Sequence, residues 1–237
     1  CHGLLAPTAG AVRWAHPEFG HLLPQQFIPL AEETGLITQV GNWVLREACR
    51  QLMAWRADGM SPDLFIAVNV SSRELLHDRD IAADVRAVLA ETGLDARHLV
   101  LEITESVLMQ QTTNALEKLK GLKALGVRLA IDDFGTGYSS LSYLKRFPID
   151  VLKIAKPFIE DIEAGRDHAA LASAIVGLTR TLHLSAVAEG IENAGQVRAL
   201  LELGCEYGQG HHFAPAMPPA DVARFVAGRA EVRLLRA

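Results

Sequence analysis

An α/β fold of the (β/α)8-barrel type, TIM-like, is what this chain of 237 residues predicts, and three observations predict it. Short apolar, β-branched runs alternate with segments of helical periodicity at roughly thirty-residue spacing, the mark of βα units and a parallel sheet. Polar residues stand at or just past the C-terminal ends of five of those runs: Asn69, Glu102, Asp132, Lys153 and Glu189. The composition does not change along the chain, with no long linker and no low-complexity tract. A doubly wound open sheet also fits the alternation. It would spread the five polar residues over its width, whereas a barrel gathers its strand ends at one mouth. The barrel is therefore preferred.

In order, strands are expected at Ala11–Trp14, Leu64–Val70, Leu99–Ile103, Val127–Ile131, Val151–Ile154 and Ala186–Ala188, with a weak one near Cys205–Gly208. Between them lie helices. Pro24 to Thr34 opens on a proline and carries an apolar face at Phe27, Leu30 and Ala31. Trp43–Trp55, Ile81–Glu91, Asn114–Leu125, His168–Leu182 and Ala194–Leu203 share the helical period. Gly93, Gly126 and Gly204 follow three of them where a left-handed C-cap belongs. Residues 1–228 are expected to make one barrel domain, and 229–237 an exposed tail.

The bulk numbers exclude several classes. Apolar residues make up 49% and charged residues 22%, with a formal net charge of −5 and dispersed basic residues. That is ordinary globular composition, with no nucleic-acid or membrane surface. No apolar run reaches membrane-spanning length. Cys1, Cys49 and Cys205 have no metal or redox spacing and read as reduced thiols in a cytoplasmic protein. The chain opens on Cys1 rather than Met, which suggests a fragment of something longer.

Asp132 and Asp133 end an apolar strand side by side. Neighbours on a regular strand point to opposite faces, so both serve one site only where the strand ends and turns. Gly135-Thr136-Gly137 supplies a flexible turn. Adjacent carboxylates raise each other's pKa unless something positive lies between them, and a metal pair is one solution. Asp132 could bridge two ions with Asp133 on one, while Asn69, Glu102 and Glu189 add oxygen ligands. An oxygen-rich set suits Mg2+ or Mn2+. Two such ions would clamp the attacking and leaving oxygens of a phosphoester. Lys153 would hold the attacking water or neutralise phosphate. Its alternative, a Schiff-base lysine as in barrel aldolases, needs a depressed pKa that nearby carboxylates oppose. Each residue alone has a plainer reading: Asp-Asp as a cap or solvated turn, Asn69 as the cap of a helix at Ser71-Ser72, Thr104-Glu105-Ser106 as a capping segment. Their joint placement argues for a site.

The segments "RWAHPEFGHLLPQQFIPLAEETGLI", "AVNVSSREL", "LEITES", "AIDDFGTGYSSLSYLKRFPIDVLKI", "VAEGIE" and "GCEYGQG" resemble, in order and spacing, the EAL domain family of cyclic-di-GMP phosphodiesterases, from about Ala9 to about Phe225. The resemblance implies a TIM-like barrel, two divalent cations and cleavage of one phosphodiester of this bacterial second messenger to linear pGpG. It implies metal-site roles for Asn69, Glu102, Asp132, Asp133 and Glu189, and a lysine beside the catalytic water at Lys153. Arg13 resembles a phosphate-contacting arginine and Gln209 a site glutamine. Glu105 resembles the residue that steadies the loop after Asp133, and Glu192 lies in the "EGIE" segment. The loop from Gly135 through Gly137 to Leu141 resembles one used in family dimers. A homodimer, and sensor or GGDEF-type domains upstream, are what the resemblance implies as partners.

The chain departs from that pattern: the resemblance implies a strand ahead of the Glu-Ala-Leu strand, where only "CHGLLAPT" stands, so the barrel is expected to lack its first strand in this fragment. The family's Glu-Ala-Leu glutamate falls at Ala9 in "AGAVRW", and the aspartate of "LKID" at Ala155. His211 and Pro215 stand where an aromatic and a basic residue are common. Loss of a ligating carboxylate weakens or removes one ion, so hydrolysis is expected to be impaired. The alternative is an inactive receptor or protein-interaction module.

Overall fold

In the computed structural model, which describes residues 12–76, 79–109, 113–137 and 144–227, six strands lie side by side and run parallel in chain order. These are β3 (Ile66–Val70), β4 (Leu99–Thr104), β5 (Arg128–Phe134), β6 (Val151–Ile154), β7 (Ser185–Ala188) and β8 (Tyr207–Gly208). Among the described residues, helices lie between β3 and β4, β4 and β5, β6 and β7, and β7 and β8, as βα units require. The expected α/β barrel architecture is present, although among the described residues no strand joins β8 back to β3, and the barrel is not closed.

Both faces of the sheet are buried, and this distinguishes the two sides of each strand. The outward side chains, Val68, Leu101, Ile103, Leu129, Ile131, Leu152 and Ile154, pack beneath the helices in one large core. The inward set, Ala67, Val100, Ala130 and Val151, forms a second, smaller cluster with Phe65 and Val187 against it. Small inward residues let the strands curve around one another. At the foot of this inner face the Arg128 guanidinium lies 5.8 Å over the Phe65 ring.

The helices are α1 (Pro24–Thr34), α2 (Ile37–Ala57), α3 (Ser72–Leu76), α4 (Ile81–Thr92), α5 (Glu105–Met109), α6 (Thr113–Ala124), α7 (Arg166–Leu182), α8 (Ala194–Leu203) and α9 (Pro219–Ala227). Helix α2 begins six residues before the expected Trp43, because Leu36 turns the chain straight from the Gly35 cap of α1 into the next helix. Two further elements, α3 and α5, are single turns too short to show a helical period. Gly93 and Gly204 are left-handed C-caps as expected, each with φ 72°.

Of the expected strand at Ala11–Trp14, Ala11 lies outside the described residues, and Val12 and Arg13 belong to no strand. The segment found is β1 (Trp14–His16), paired antiparallel with β2 (Gly20–Leu22) in a separate hairpin. Local chemistry favours the hairpin: His16 Nδ1 accepts the Glu18 and Phe19 amides at 3.1 and 3.2 Å, and its ring packs against those of Trp14 and Phe19. Ala9, Ala11, the tail 229–237 and positions 138–141 of the loop lie outside the described residues.

Cys49 and Cys205 are buried and unpaired, and burial pushes their thiols up to about 12 and about 11. They are poor nucleophiles and packing residues. Among the described residues no helix is long and apolar enough to cross a membrane.

Candidate metal and phosphodiester site

The C-terminal ends of β3 to β7 carry the polar residues that the small inner cluster lacks. Asn69 pairs in register with Glu102 across β3 and β4, and Lys153 with Val187 across β6 and β7. Asn69, Glu102, Asp132, Lys153 and Glu189 each stand two residues beyond an inner-face residue of their own strand, Ala67, Val100, Ala130, Val151 and Val187, and so continue the same inner face toward the C-terminal ends.

Lys153 is the hub. Its Nζ lies 2.9 Å from Glu102 Oε2, 2.8 Å from Asp132 Oδ1 and 2.8 Å from Glu189 Oε1. The ammonium and Glu102 are 4% and 5% exposed, so water does little to screen them. Burial works to lower the Lys153 pKa, but the charges of Glu102, Glu189 and Asp132 outweigh it and hold the group protonated, above the ordinary lysine range. Burial raises the Glu102 carboxyl despite the pull of Lys153. Burial likewise pushes Glu189 up to about 7, with Lys153 opposing and Asp132 adding to the rise. Glu102 Oε2 is within ion-pairing reach of the ammonium yet has no hydrogen-bond partner, an orphaned buried oxygen.

The adjacent carboxylates reach one place through a bulge. Ile131 pairs with Leu152 and Phe134 with Ile154, so β5 takes three steps while β6 takes two. The turn falls on Asp133 itself, at φ 52°, before the first glycine. Aspartate tolerates that left-handed conformation better than most residues. The Asp133 amide donates to Asp132 Oδ1 at 3.1 Å. Burial, and then the charge of Asp132, raise the Asp133 carboxyl. Oxygens of Asp132, Asp133 and Glu189 lie within 4.8 Å of one another, close enough to share a cation.

A scan against family models matches residues 10–216 of the chain to the EAL domain. The chain belongs to the EAL family. MucR of Pseudomonas aeruginosa, a bifunctional diguanylate cyclase and cyclic di-GMP phosphodiesterase, is 46% identical over 95% of this chain and 33% of its own length. NbdA of the same organism, a cyclic di-GMP phosphodiesterase, is 44% identical over 91% of this chain and 27% of its own. This EAL chain thus spans about a third or less of the length of these relatives. The solved phosphodiesterase of MucR in complex with cyclic di-GMP superposes with a TM-score of 0.84 at 47% identity, covering 92% of this chain and 90% of that one.

Around the EAL carboxylates, Glu105 is buried and its Oε2 accepts the Gly135 and Gly137 amides at 2.8 and 3.3 Å, tying the start of the loop after Asp133 to α5. Space there requires glycine: a Cβ at Gly135 would lie 2.6 Å from the Phe158 ring, and one at Gly137 2.9 Å from Glu105 Oε1. Gln209 donates from Nε2 to Glu189 Oε1, and its own amide is held by the Ala188 carbonyl at 2.8 Å. Glu192 is exposed and pairs with Lys156 at 2.7 Å, outside the carboxylate group. Arg13 is exposed just ahead of β1, where its guanidinium reaches the Val12 carbonyl. Ala155 is fully buried and caps the turn Lys156–Phe158 without a side-chain hydrogen bond, while His211 and Pro215 are exposed.

Two local readings are corrected. Asn69 does not cap α3, because Ser71 does: its Oγ accepts the Glu74 amide at 3.2 Å and its own amide donates to Glu74 Oε2 at 3.0 Å. Thr104-Glu105-Ser106 is not only a cap. Thr104 and Ser106 share a hydrogen bond of 2.7 Å, and Ser72 joins both at 3.2 and 3.3 Å, linking the turns after β3 and β4 at the mouth. The hydroxyls of Thr104 and Ser72 escaped the sequence reading because they meet only across strands.

Proposed function

We propose that this chain is a metal-dependent phosphodiesterase that hydrolyses one phosphodiester of cyclic di-GMP to give linear pGpG. The observation that carries the reading is the excess of buried carboxylate around Lys153, on a fold whose relatives carry that activity in their names. Residues of this kind fit divalent cations. The donors are hard oxygens, three of them share a 4.8 Å neighbourhood, and Glu102 Oε2 is buried with only the shared Lys153 ammonium facing it. Asp132, Asp133 and Glu189 would hold the ions, two in number as in the family, with Glu102 and Asn69 completing the shell, and Mg2+ or Mn2+ suits the set. When bound, such ions polarise the phosphoryl oxygens and lower the pKa of a bound water.

The side chains have their own parts. Lys153, charged at every working pH, steadies the carboxylates and offers a donor to a phosphate oxygen or to the attacking water. Glu189 Oε1, held by Lys153 and Gln209, is suited to accept the water's proton as that water adds to phosphorus. As the new P–O bond forms, the bond from phosphorus to the ester oxygen breaks; one hydrogen of the water goes to Glu189, the other stays on the phosphate, and the leaving oxygen takes a proton from solvent, after which Glu189 returns its own to solvent. Arg13 would contact phosphate, and Glu105 would hold the loop from Gly135 that follows the metal-site aspartates. A homodimer through that loop, sensor or GGDEF-type domains elsewhere in a longer protein, and a cytoplasmic place in second-messenger signalling complete the proposal. A Schiff base at Lys153 is disfavoured by its raised pKa, and borohydride in the presence of small carbonyl compounds should leave the lysine unmodified.

A second reading, an impaired or inactive receptor for cyclic di-GMP, is favoured by Ala9 and Ala155 at positions where the family places acidic residues. A single-turnover assay with excess protein, cyclic di-GMP and Mn2+ separates the two. Product that vanishes in Lys153→Ala supports the phosphodiesterase. Intact, bound dinucleotide supports the receptor, and turnover gained on Ala9→Glu with Ala155→Asp would assign the defect to those two positions.

A further inference from the structure

We propose that Gly41 and Glu74 are positioning residues for Asn69: Gly41 opens a notch in α2, the Glu74 carboxylate fills it, and that carboxylate fixes the turn by which β3 presents Asn69 at the mouth. The inference rests on the reading of Asn69 as a cation-site residue.

Glycine is among the least favourable residues inside a helix, yet Gly41 is the fifth residue of a helix of 21. Its backbone is not left-handed, so conformational freedom does not explain it. Space does. A Cβ at Gly41 would lie 1.8 Å from Glu74 Oε1 and 2.7 Å from its Cδ. The carboxylate therefore rests directly on the helix backbone. Arg79 attracts the carboxylate from a distance, but its close contacts go to Asp84, with Nε at 2.6 Å and Nη2 at 2.8 Å, so no ion pair fixes Glu74 against the helix. Burial raises the Glu74 carboxyl, so placing it there is costly.

The carboxylate's printed bond is the one to the Ser71 amide, and Ser71 Oγ returns the bond to the Glu74 amide. Ser71 is two residues from Asn69, and Leu75 donates to the Ser71 carbonyl at 3.2 Å. Gly41, Glu74 and Asn69 line one cavity between α2 and the end of β3. The Ser71 amide is thus satisfied by a carboxylate braced from behind by another helix, the Glu74 amide by Ser71 Oγ, and the chain direction after Asn69 is set by that reciprocal pair.

The test uses the whole chain. Mn2+ affinity is measured by calorimetry alongside the metal-free melting temperature for Gly41→Ala, Glu74→Ala, Glu74→Gln and Asn69→Ala. Gly41→Ala displaces the carboxylate and should weaken Mn2+ binding about tenfold, the lower end for loss of an outer support. Its melting temperature should hold or rise, because alanine is the better helix former. Glu74→Ala should weaken binding as much, whereas Glu74→Gln keeps an acceptor for the Ser71 amide and should stay within about threefold. If Glu74→Ala fails to fold, Gly41→Ala decides alone. Unchanged affinity in Gly41→Ala with loss in Asn69→Ala overturns this inference only. Unchanged affinity in Asn69→Ala removes the cation-site reading and the inference with it. Affinity and melting temperature falling together in Gly41→Ala would mean packing damage, and would overturn positioning.

Discussion

Just below β6, Asp150 meets one cation: both its oxygens lie 2.8 Å from Lys123 Nζ, and Oδ2 also accepts the Leu129 amide at 2.8 Å. Three residues further on, at the other end of the same strand, Lys153 meets three carboxylates. The first pair is balanced and nearly a third exposed, so water completes it. The second group is buried and carries more negative than positive charge. Burial raises the Glu189 and Glu102 carboxyls, Lys153 opposes the rise, and the neighbouring Asp132 charge adds to it. One strand thus carries a structural ion pair at its foot and a strained anionic centre at its head. Strained, pKa-shifted groups gather where chemistry is done.

Breaking the head of the strand should give the largest effect. Lys153→Met leaves three carboxylates without their cation. Removing one partner of a buried ion group costs about 3–5 kcal/mol, read as a lower urea midpoint in the presence of chelator. Because divalent cations bind the folded state only, Mn2+ should recover part of the loss. A midpoint equal to wild type without metal would mean that the group is not under charge strain.

Asp132→Asn should do the reverse. It relieves the excess charge, so the metal-free protein should melt no lower than wild type. Mn2+ affinity and any turnover of cyclic di-GMP should fall by more than about 100-fold, beyond the range for outer-shell losses. Loss of stability together with affinity would place Asp132 among the structural pairs.

The pH profile sharpens the contrast. A folded pKa raised above the unfolded value contributes stability that is present at low pH and is lost as pH rises through the folded value. With Glu189 near 7, metal-free stability should decline between about pH 4.5 and 7 on its account. Glu189→Gln should flatten that part of the curve in chelator.

Much of this contrast was legible in the chain. Asn69, Glu102, Asp132, Lys153 and Glu189 stand at strand ends because inward positions recur with period two, and the topology brings those ends to one mouth. What stayed hidden depends on contacts across elements. The hub role of Lys153 needs the ends of four strands, β4 to β7, brought together. The bulge that puts Asp133 beside Asp132 needs the offset between Ile131 and Phe134, and glycines two residues on drew attention away from Asp133 itself. Gly41 looks like a weak point in a helix until Glu74, 33 residues later in the numbering, is seen against it. The β1–β2 hairpin from Trp14 to Leu22 was not foreseen because a short apolar run looks the same in a hairpin as in a buried strand.

Asp150 supplies the smallest effect and the control. Asp150→Ala removes the bond to Lys123 and leaves the Leu129 amide to water. Lys123 and Asp150 side chains are 30% and 29% exposed, so solvent screens the charge and fills the gap. A loss of about 1 kcal/mol is expected, the upper end for a partly exposed pair. Lys123 Nζ keeps the Val127 carbonyl at 3.3 Å, which limits the damage to the start of β5. Mn2+ affinity should not change, because Ala130 and Val151 form an apolar layer between this pair and the carboxylates of the mouth. A fall in Mn2+ affinity as large as that of Asp132→Asn would mean that the two ends of the strand are one coupled electrostatic unit, and that the charge excess at the mouth is set by the whole inner face of the barrel.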